Sequence, residues 1–233
     1  MQLVQVAAVA LNQTPLDWAG NVQNIKTAIS TARDQGASLI CLPELCITGY
    51  GCEDAFFSPD VQQRALHALQ ELLPLTEGIV ASVGLPLFYG GALYNCACLI
   101  SNQRILGFVA KNHLAGDGIH YEPRWFKAWN SPHVSQVAIE GQSYPLGNLV
   151  FDCGGIRIGF EICEDAWAAR RPGRDLSQAA VDLILNPSAS HFAFGKQEIR
   201  RRLVLESSRA YGVSYLYSNL LGNEAGRIIY DGA

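Results

Sequence analysis

The sequence has little charge, no run of one sign longer than Arg200-Arg201-Arg202, and no hydrophobic segment long enough to cross a bilayer. Charged residues make up 16% of the 233 positions and the net charge is -4, which argues against a nucleic-acid or anionic-membrane partner. A small-molecule substrate fits such a surface better. The N-terminal MQLVQVAAVALNQTP has no basic leader, so no signal peptide is read and the cytoplasm is the expected compartment. The seven cysteines form no C-x-x-C pair and have no histidine at ligand spacing; neither a disulfide framework nor a metal site is suggested. Fixed-period repeats, low-complexity tracts and internal linkers are absent.

What is present is apolar: 49% of residues are hydrophobic, enough for one substantial core. LVQVAAVAL (3–11) reads as a buried strand. Residues 17–36 form a helix with Val22, Ile25, Ile29 and Ala32 on one face, and ASLICLPE (37–44) is a second strand. This is a β-α-β unit, whose functional residues tend to lie past the carboxyl ends of the strands. A helix (59–75) and a strand (78–85) repeat the pattern, and residues 92–111 read as an antiparallel hairpin. A polar, aromatic-rich loop follows at 112–132. IRIGFEIC (156–163) alternates as a half-buried strand ending at a cysteine, and VDLILNPSAS (181–190) is another strand. Gly195 to Tyr211 is a basic helix with Ile199, Leu203, Ser207 and Ala210 inward, followed by strands at 213–220 and 226–232. The pattern specifies one α/β domain with a mixed sheet.

Glu44, Lys111 and Cys163 each stand where an apolar strand gives way to a loop. A cysteine nucleophile needs a proton acceptor and a positive group where charge develops on a carbonyl oxygen, and these residues supply both. Singly, each has a plainer reading: a buried thiol, a loop carboxylate, an edge-strand charge.

The blocks CLPELCITGY, AKNHLAGDGIHYEPRWF and GFEICEDAW, in this order, resemble the three catalytic blocks of the nitrilase (carbon-nitrogen hydrolase) superfamily. Within it they look most like the glutamine-hydrolysing amidase domains of glutamine-dependent NAD synthetases. The resemblance spans residues 1–233 and implies a single domain with the four-layer α-β-β-α sandwich. It implies Glu44 as general base, Lys111 as the cation at the tetrahedral intermediate, Cys163 as nucleophile and Glu122 as a supporting carboxylate. It further implies Glu164 at the substrate amino group, Ser190 and Lys196 at its carboxylate, and Trp167 as a pocket wall. Asp117 stands where some family members carry a substrate-contacting tyrosine, which makes Tyr121 the candidate replacement.

By the same resemblance the substrate is L-glutamine, no metal or cofactor serves the amidase, and ammonia passes to a synthetase domain that amidates deamido-NAD with ATP and Mg. That domain, and its Ser-Gly-Gly-x-Asp-Ser type phosphate loop, are not in this sequence, so the chain is expected to be the N-terminal part of a longer synthetase that assembles as a homo-oligomer. Two rival readings stay open: a stand-alone amidase or nitrilase acting on another small molecule, and a catalytically silent binding or assembly module. Glu122 also reads as a surface glutamate, Ser190 as a turn residue and Lys196 as a solvated charge.

Overall fold

The computed structural model describes residues 3–224 and 226–232. The chain enters through β1 (Val6–Ala8), α1 (Trp18–Asp34) and β2 (Leu39–Cys41), with β1 and β2 parallel as the β-α-β reading requires. Asp17 caps α1 by accepting from the Gly20 N–H, which satisfies one of the open amides of the first turn. Both strands are shorter than the apolar runs suggest, because the chain leaves the ladder before Pro43 to build a tight turn.

Next come α2 (Pro59–Leu72), β3 (Val80–Tyr89), β4 (Ala92–Ser101) and β5 (Arg104–Ala110). A one-turn helix, α3 (Glu122–Trp125), then interrupts what the sequence presents as a loop. Strands β6 (Ser135–Ile139), β7 (Gln142–Leu146) and β8 (Phe151–Cys153) precede β9 (Ile156–Phe160). These three are missed by the sequence analysis, although Glu140-Gly141, both at positive φ, is a two-residue hairpin signal. The chain ends with α4 (Gly173–Gln178), β10 (Leu183–Ser188), α5 (Lys196–Tyr211), β11 (Ser214–Asn219), β12 (Leu221–Glu224) and β13 (Ile228–Asp231).

Strands β1-β2-β3-β4-β5-β7-β6 form one mixed sheet, β11-β10-β9-β8 a second, and β12-β13 a separate ribbon. Period-2 alternation on strands buried on both faces builds the layers. On β4, Cys96 and Cys98 face α1 and α2, whereas Ala97 and Leu99 face the second sheet beside Phe160, Leu183 and Leu185. On β10, Ile184 points the other way, against Leu176, Val181 and Val213 beside α4 and α5. The order helix, sheet, sheet, helix is the expected α-β-β-α sandwich. No helix among the described residues is long and apolar enough to cross a membrane.

Three expectations fail. The first strand is not buried: Leu3 and Val6 are exposed, and of Val6–Ala8 only Ala7 is even partly covered. The strand at 156–163 is not half-buried at its end: Gly159 and Glu161 are as inaccessible as Phe160 and Ile162. A side chain at Gly159 would strike Leu176, its ideal Cβ lying 2.5 Å from that leucine, so α4 packs directly on this face. In α5, Ile199 and Ala210 are exposed rather than inward, and Arg200 and Ser207 occupy the buried face. The buried pair Arg200–Asp231, together with the hydrogen bond from Arg200 to the His191 carbonyl oxygen, sets that rotation.

Candidate active site

Each residue of the candidate set leaves a strand at the same end of the sandwich. Glu44 sits in the turn after β2, where Leu45 takes φ +49°. The turn presses on β3: a Cβ at Gly84 would lie 2.3 Å from the Leu45 nitrogen. Glycine there is what lets Glu44 approach. Lys111 follows β5, tied by its N–H to the Asn95 carbonyl oxygen at 2.9 Å. Cys163 opens a 3₁₀ turn (Cys163–Trp167) at φ +46°, a left-handed conformation that costs a non-glycine residue on the order of 1–3 kcal/mol and projects the thiol off the strand.

The structure brings Glu44, Lys111, Glu122 and Cys163 together. Lys111 Nζ bridges Glu44 Oε1 at 2.6 Å and Glu122 Oε1 at 2.7 Å, all three side chains being sealed from solvent. Asn95 Nδ2 donates to Glu44 Oε1 at 2.7 Å and the Ala189 N–H to Glu44 Oε2 at 2.9 Å. The Ala189 N–H also faces the Cys163 thiol, which places carboxylate and sulfur around one amide. Glu122 accepts from Tyr50 Oη at 2.7 Å and from the Ala115 N–H at 3.0 Å.

The electrostatics separate the roles. Burial, reinforced by the Glu44 and Glu122 carboxylates and only partly offset by Lys111, holds the Cys163 thiol far above its ordinary pKa; it rests protonated, and sulfur attacks only if a base removes the proton. Burial pushes Glu44 up to about 7 against the pull of Lys111, near the value that suits a general base at neutral pH. Lys111 is pulled down by burial, but Glu122 and Glu44 more than compensate and keep it cationic.

Of the residues expected at the substrate, Glu164 is half-buried; burial raises its carboxyl pKa, and the Lys111 charge pulls the other way. Lys196 Nζ lies 3.1 Å from His191 Nδ1, and its pKa is lowered by burial, with the Cys163 and Glu164 charges acting against that shift. Ser190 is buried, its Oγ accepting from Arg200 Nη1 at 3.4 Å. Trp167 ends the nucleophile turn, 39% exposed. Tyr121 is half exposed and stacks under Arg227, 5.4 Å away, outside the hydrogen-bonded cluster.

Several residues of the site escape sequence reasoning. Asn95 lies in the apolar run of β4, and Tyr50 stands between two glycines at the end of CLPELCITGY, with nothing to mark either. Asp165 stood in view within CEDAW: its Oδ1 accepts from the Asn112 and His113 N–H groups at 3.0 and 2.7 Å and its Oδ2 from the Ile162 N–H at 2.9 Å. It joins the loop after Lys111 to the turn of Cys163. Behind the turn, Glu161 is clasped by Arg171, accepts from the Gly173 N–H at 2.6 Å and from Tyr215 Oη at 2.8 Å. Asp165→Asn would set an amide donor against backbone donors in a dry site, at a cost of about 1–3 kcal/mol for the unsatisfied group. We expect a lower urea midpoint and a fall in turnover together; a variant with parental midpoint and turnover would remove Asp165 from this role. Among the described residues no group of three or more His, Cys, Asp and Glu side chains is arranged to hold a metal.

The chain has relatives of known sequence and structure. A model of the carbon-nitrogen hydrolase family matches residues 5–232. Glutamine-dependent NAD(+) synthetases of Arabidopsis thaliana and Homo sapiens are 36% and 35% identical to the chain, over 100% and 98% of it, but the match takes in only 34% of each of those proteins. The chain thus spans about a third of the length of these relatives. The crystal structure of a glutamine-dependent NAD(+) synthetase from Cytophaga hutchinsonii superposes with a TM-score of 0.92 at 46% identity, over 99% of this chain and 38% of that one. An amidase from Nesterenkonia sp. shares the fold, with a TM-score of 0.80 at 21% identity over 97% of this chain and 79% of that one. The match over nearly every residue, on a sandwich that gathers a glutamate, a lysine and a cysteine at one end, shows that the chain belongs to the carbon-nitrogen hydrolase family.

Proposed function

We propose that the site hydrolyses the side-chain amide of L-glutamine through a thioester on Cys163. The observation that carries this reading is the arrangement of Glu44, whose carboxylate shares the Ala189 amide with the thiol on one side and is held by Lys111 on the other. Glu44 takes the thiol proton as sulfur attacks the amide carbon. Lys111, with the backbone N–H of Glu164, stabilises the oxyanion. Glu44 then protonates the departing nitrogen, ammonia leaves, and the same carboxylate activates the water that opens the thioester. Glutamate is the second product.

Glutamine is favoured over a simple amide because Lys196 and Glu164, whose charges act on each other, match an α-carboxylate and an α-ammonium. The names of the longer relatives support the same substrate and a further role: ammonia made here serves the amidation of deamido-NAD on a synthetase domain that holds ATP and magnesium outside residues 1–233.

The test is ammonia and glutamate release from L-glutamine, compared with asparagine and propionamide. Glutamine should lead in kcat/KM. In Lys196→Ala its lead over propionamide should shrink by about tenfold or more, the worth of one charged hydrogen bond. Equal or better turnover of propionamide by the parent protein would instead make it a stand-alone amidase. An absence of turnover with Cys163 no more reactive than the other thiols would make it a silent module.

A further inference from the structure

Resting on the reading of the site as an amide hydrolase, the balance of protons raises a question the catalytic residues leave open. Hydrolysis of RCONH₂ by water to RCOO⁻ and NH₃ frees one proton. Acylation moves the thiol proton through Glu44 to the leaving nitrogen, and ammonia departs. In deacylation, water loses one proton to Glu44 and forms its C–O bond as the C–S bond breaks. The resulting acid restores the thiol, and the proton on Glu44 remains. Glu44 is 1% exposed, and on its open side the acyl product still lies.

A second way out is built into the structure. Glu44 Oε1 meets Lys111 Nζ at 2.6 Å, Lys111 meets Glu122 Oε1 at 2.7 Å, and Glu122 meets Tyr50 Oη at 2.7 Å. Tyr50 Oη lies 3.1 Å from His120 Nδ1, and His120 Nε2 lies 3.0 Å from His191 Nδ1. His191 is only partly buried, and Lys196 Nζ stands 3.1 Å from its Nδ1 and 3.3 Å from its Nε2. The chain runs unbroken from the base to the surface, and each interior link past Glu122 is a hydroxyl or an imidazole, able to donate on one side and accept on the other.

We propose that Tyr50, His120 and His191 form a proton exit that discharges Glu44 to solvent after each turnover. At rest Tyr50 Oη donates inward to Glu122 Oε1. When Lys111 gives one N–H proton to Glu122 and the freed lone pair is refilled by the Glu44 proton, the chain reverses: Glu122 donates to Tyr50, Tyr50 to His120 Nδ1, His120 Nε2 to His191 Nδ1, and His191 Nε2 to water. At every hop one O–H or N–H bond forms as another breaks, and one positive charge moves outward. Both imidazoles rest neutral, as carriers must. His120 is pushed down to about 3, by burial first and then by His191, Lys111, Lys196 and Arg227. His191 is lowered by burial and then by Lys196 and Arg200, with Asp231 pulling the other way. The Lys196 cation at the outer end keeps a proton from lingering on His191.

His120→Phe keeps a ring edge-on to Tyr50, now 5.5 Å away centre to centre, and breaks the chain; His191→Gln breaks it one link further out. In both variants kcat for amide hydrolysis is expected to fall roughly tenfold, with KM and melting temperature near the parental values. The solvent deuterium isotope effect on kcat should rise, and added imidazole buffer should restore the rate. Unchanged kcat in both variants overturns the proposal, and so does a loss that buffer does not relieve and that comes with a raised KM or a lowered melting temperature. The assay uses whichever amide the parent protein turns over best. Failure of the glutamine reading therefore shows in the parent, and failure of the exit only in the variants.

Discussion

Cys163→Ala is expected to abolish amide hydrolysis, lowering kcat by at least about 10⁴-fold, because it removes the sulfur that forms the acyl intermediate. The pH dependence of the parent protein shows how the thiol is made reactive. Glu44 works only as a carboxylate, and burial sets its pKa at about 7. Its ionised fraction grows as pH rises, so kcat/KM should climb close to tenfold per pH unit below that point and level off above it. Cys163 stays protonated through the same range, and Lys111 stays charged, so neither adds a limb near neutrality. Alkylation of Cys163 by iodoacetamide should follow the same curve. A profile flat from pH 5 to 7 and rising only through about pH 8.5, the range of a free thiol, would mean that a thiolate acts without Glu44.

Lys111→Met removes the single cation between two carboxylates, each within 2.7 Å of its Nζ. Breaking a buried pair by deleting one partner costs about 3–5 kcal/mol, since the charge left behind has no water to turn to. The sign with pH follows from linkage. Burial already raises Glu44 and Lys111 is the charge that pulls it down; without the ammonium the folded Glu44 titrates further above its unfolded value, so the folded state binds more protons and the penalty shrinks as pH falls. Urea unfolding should show the full loss at pH 8 and a smaller one at pH 5.5. The double variant Lys111→Met, Glu122→Gln should recover much of the stability at pH 8 yet stay inactive, because the oxyanion still lacks its cation. A Lys111→Met protein as stable as the parent at pH 8 would contradict this picture.

The layers were legible because a strand buried on both faces shows as a continuous apolar run. Cys96-Ala97-Cys98-Leu99 alternates between two cores, yet every residue is small or apolar. The hairpin of β6 and β7 was not legible, since its edge position leaves only Val137, Ile139 and Leu146 buried, too few to set a period. The inward face of α5 was misjudged for a related reason. Arg200 outweighs Ile199 in that helix because Asp231, far along the chain, offers it a partly covered partner. A pattern of hydrophobicity carries no record of such a pairing.

By itself the sequence determined the α/β class, the β-α-β start and the three strand ends at which Glu44, Lys111 and Cys163 appear, because side-chain spacing and the position of polar residues after apolar runs are local properties. Tertiary structure decided what those residues can do. The burial that makes Cys163 a resting thiol and raises Glu44 toward neutrality, the insertion of Lys111 between two carboxylates, and the link from Glu122 through Tyr50 and His120 to His191 all depend on groups 11 to 145 positions apart. Desolvation and hydrogen bonding act across such contacts, and only the folded chain brings them within reach.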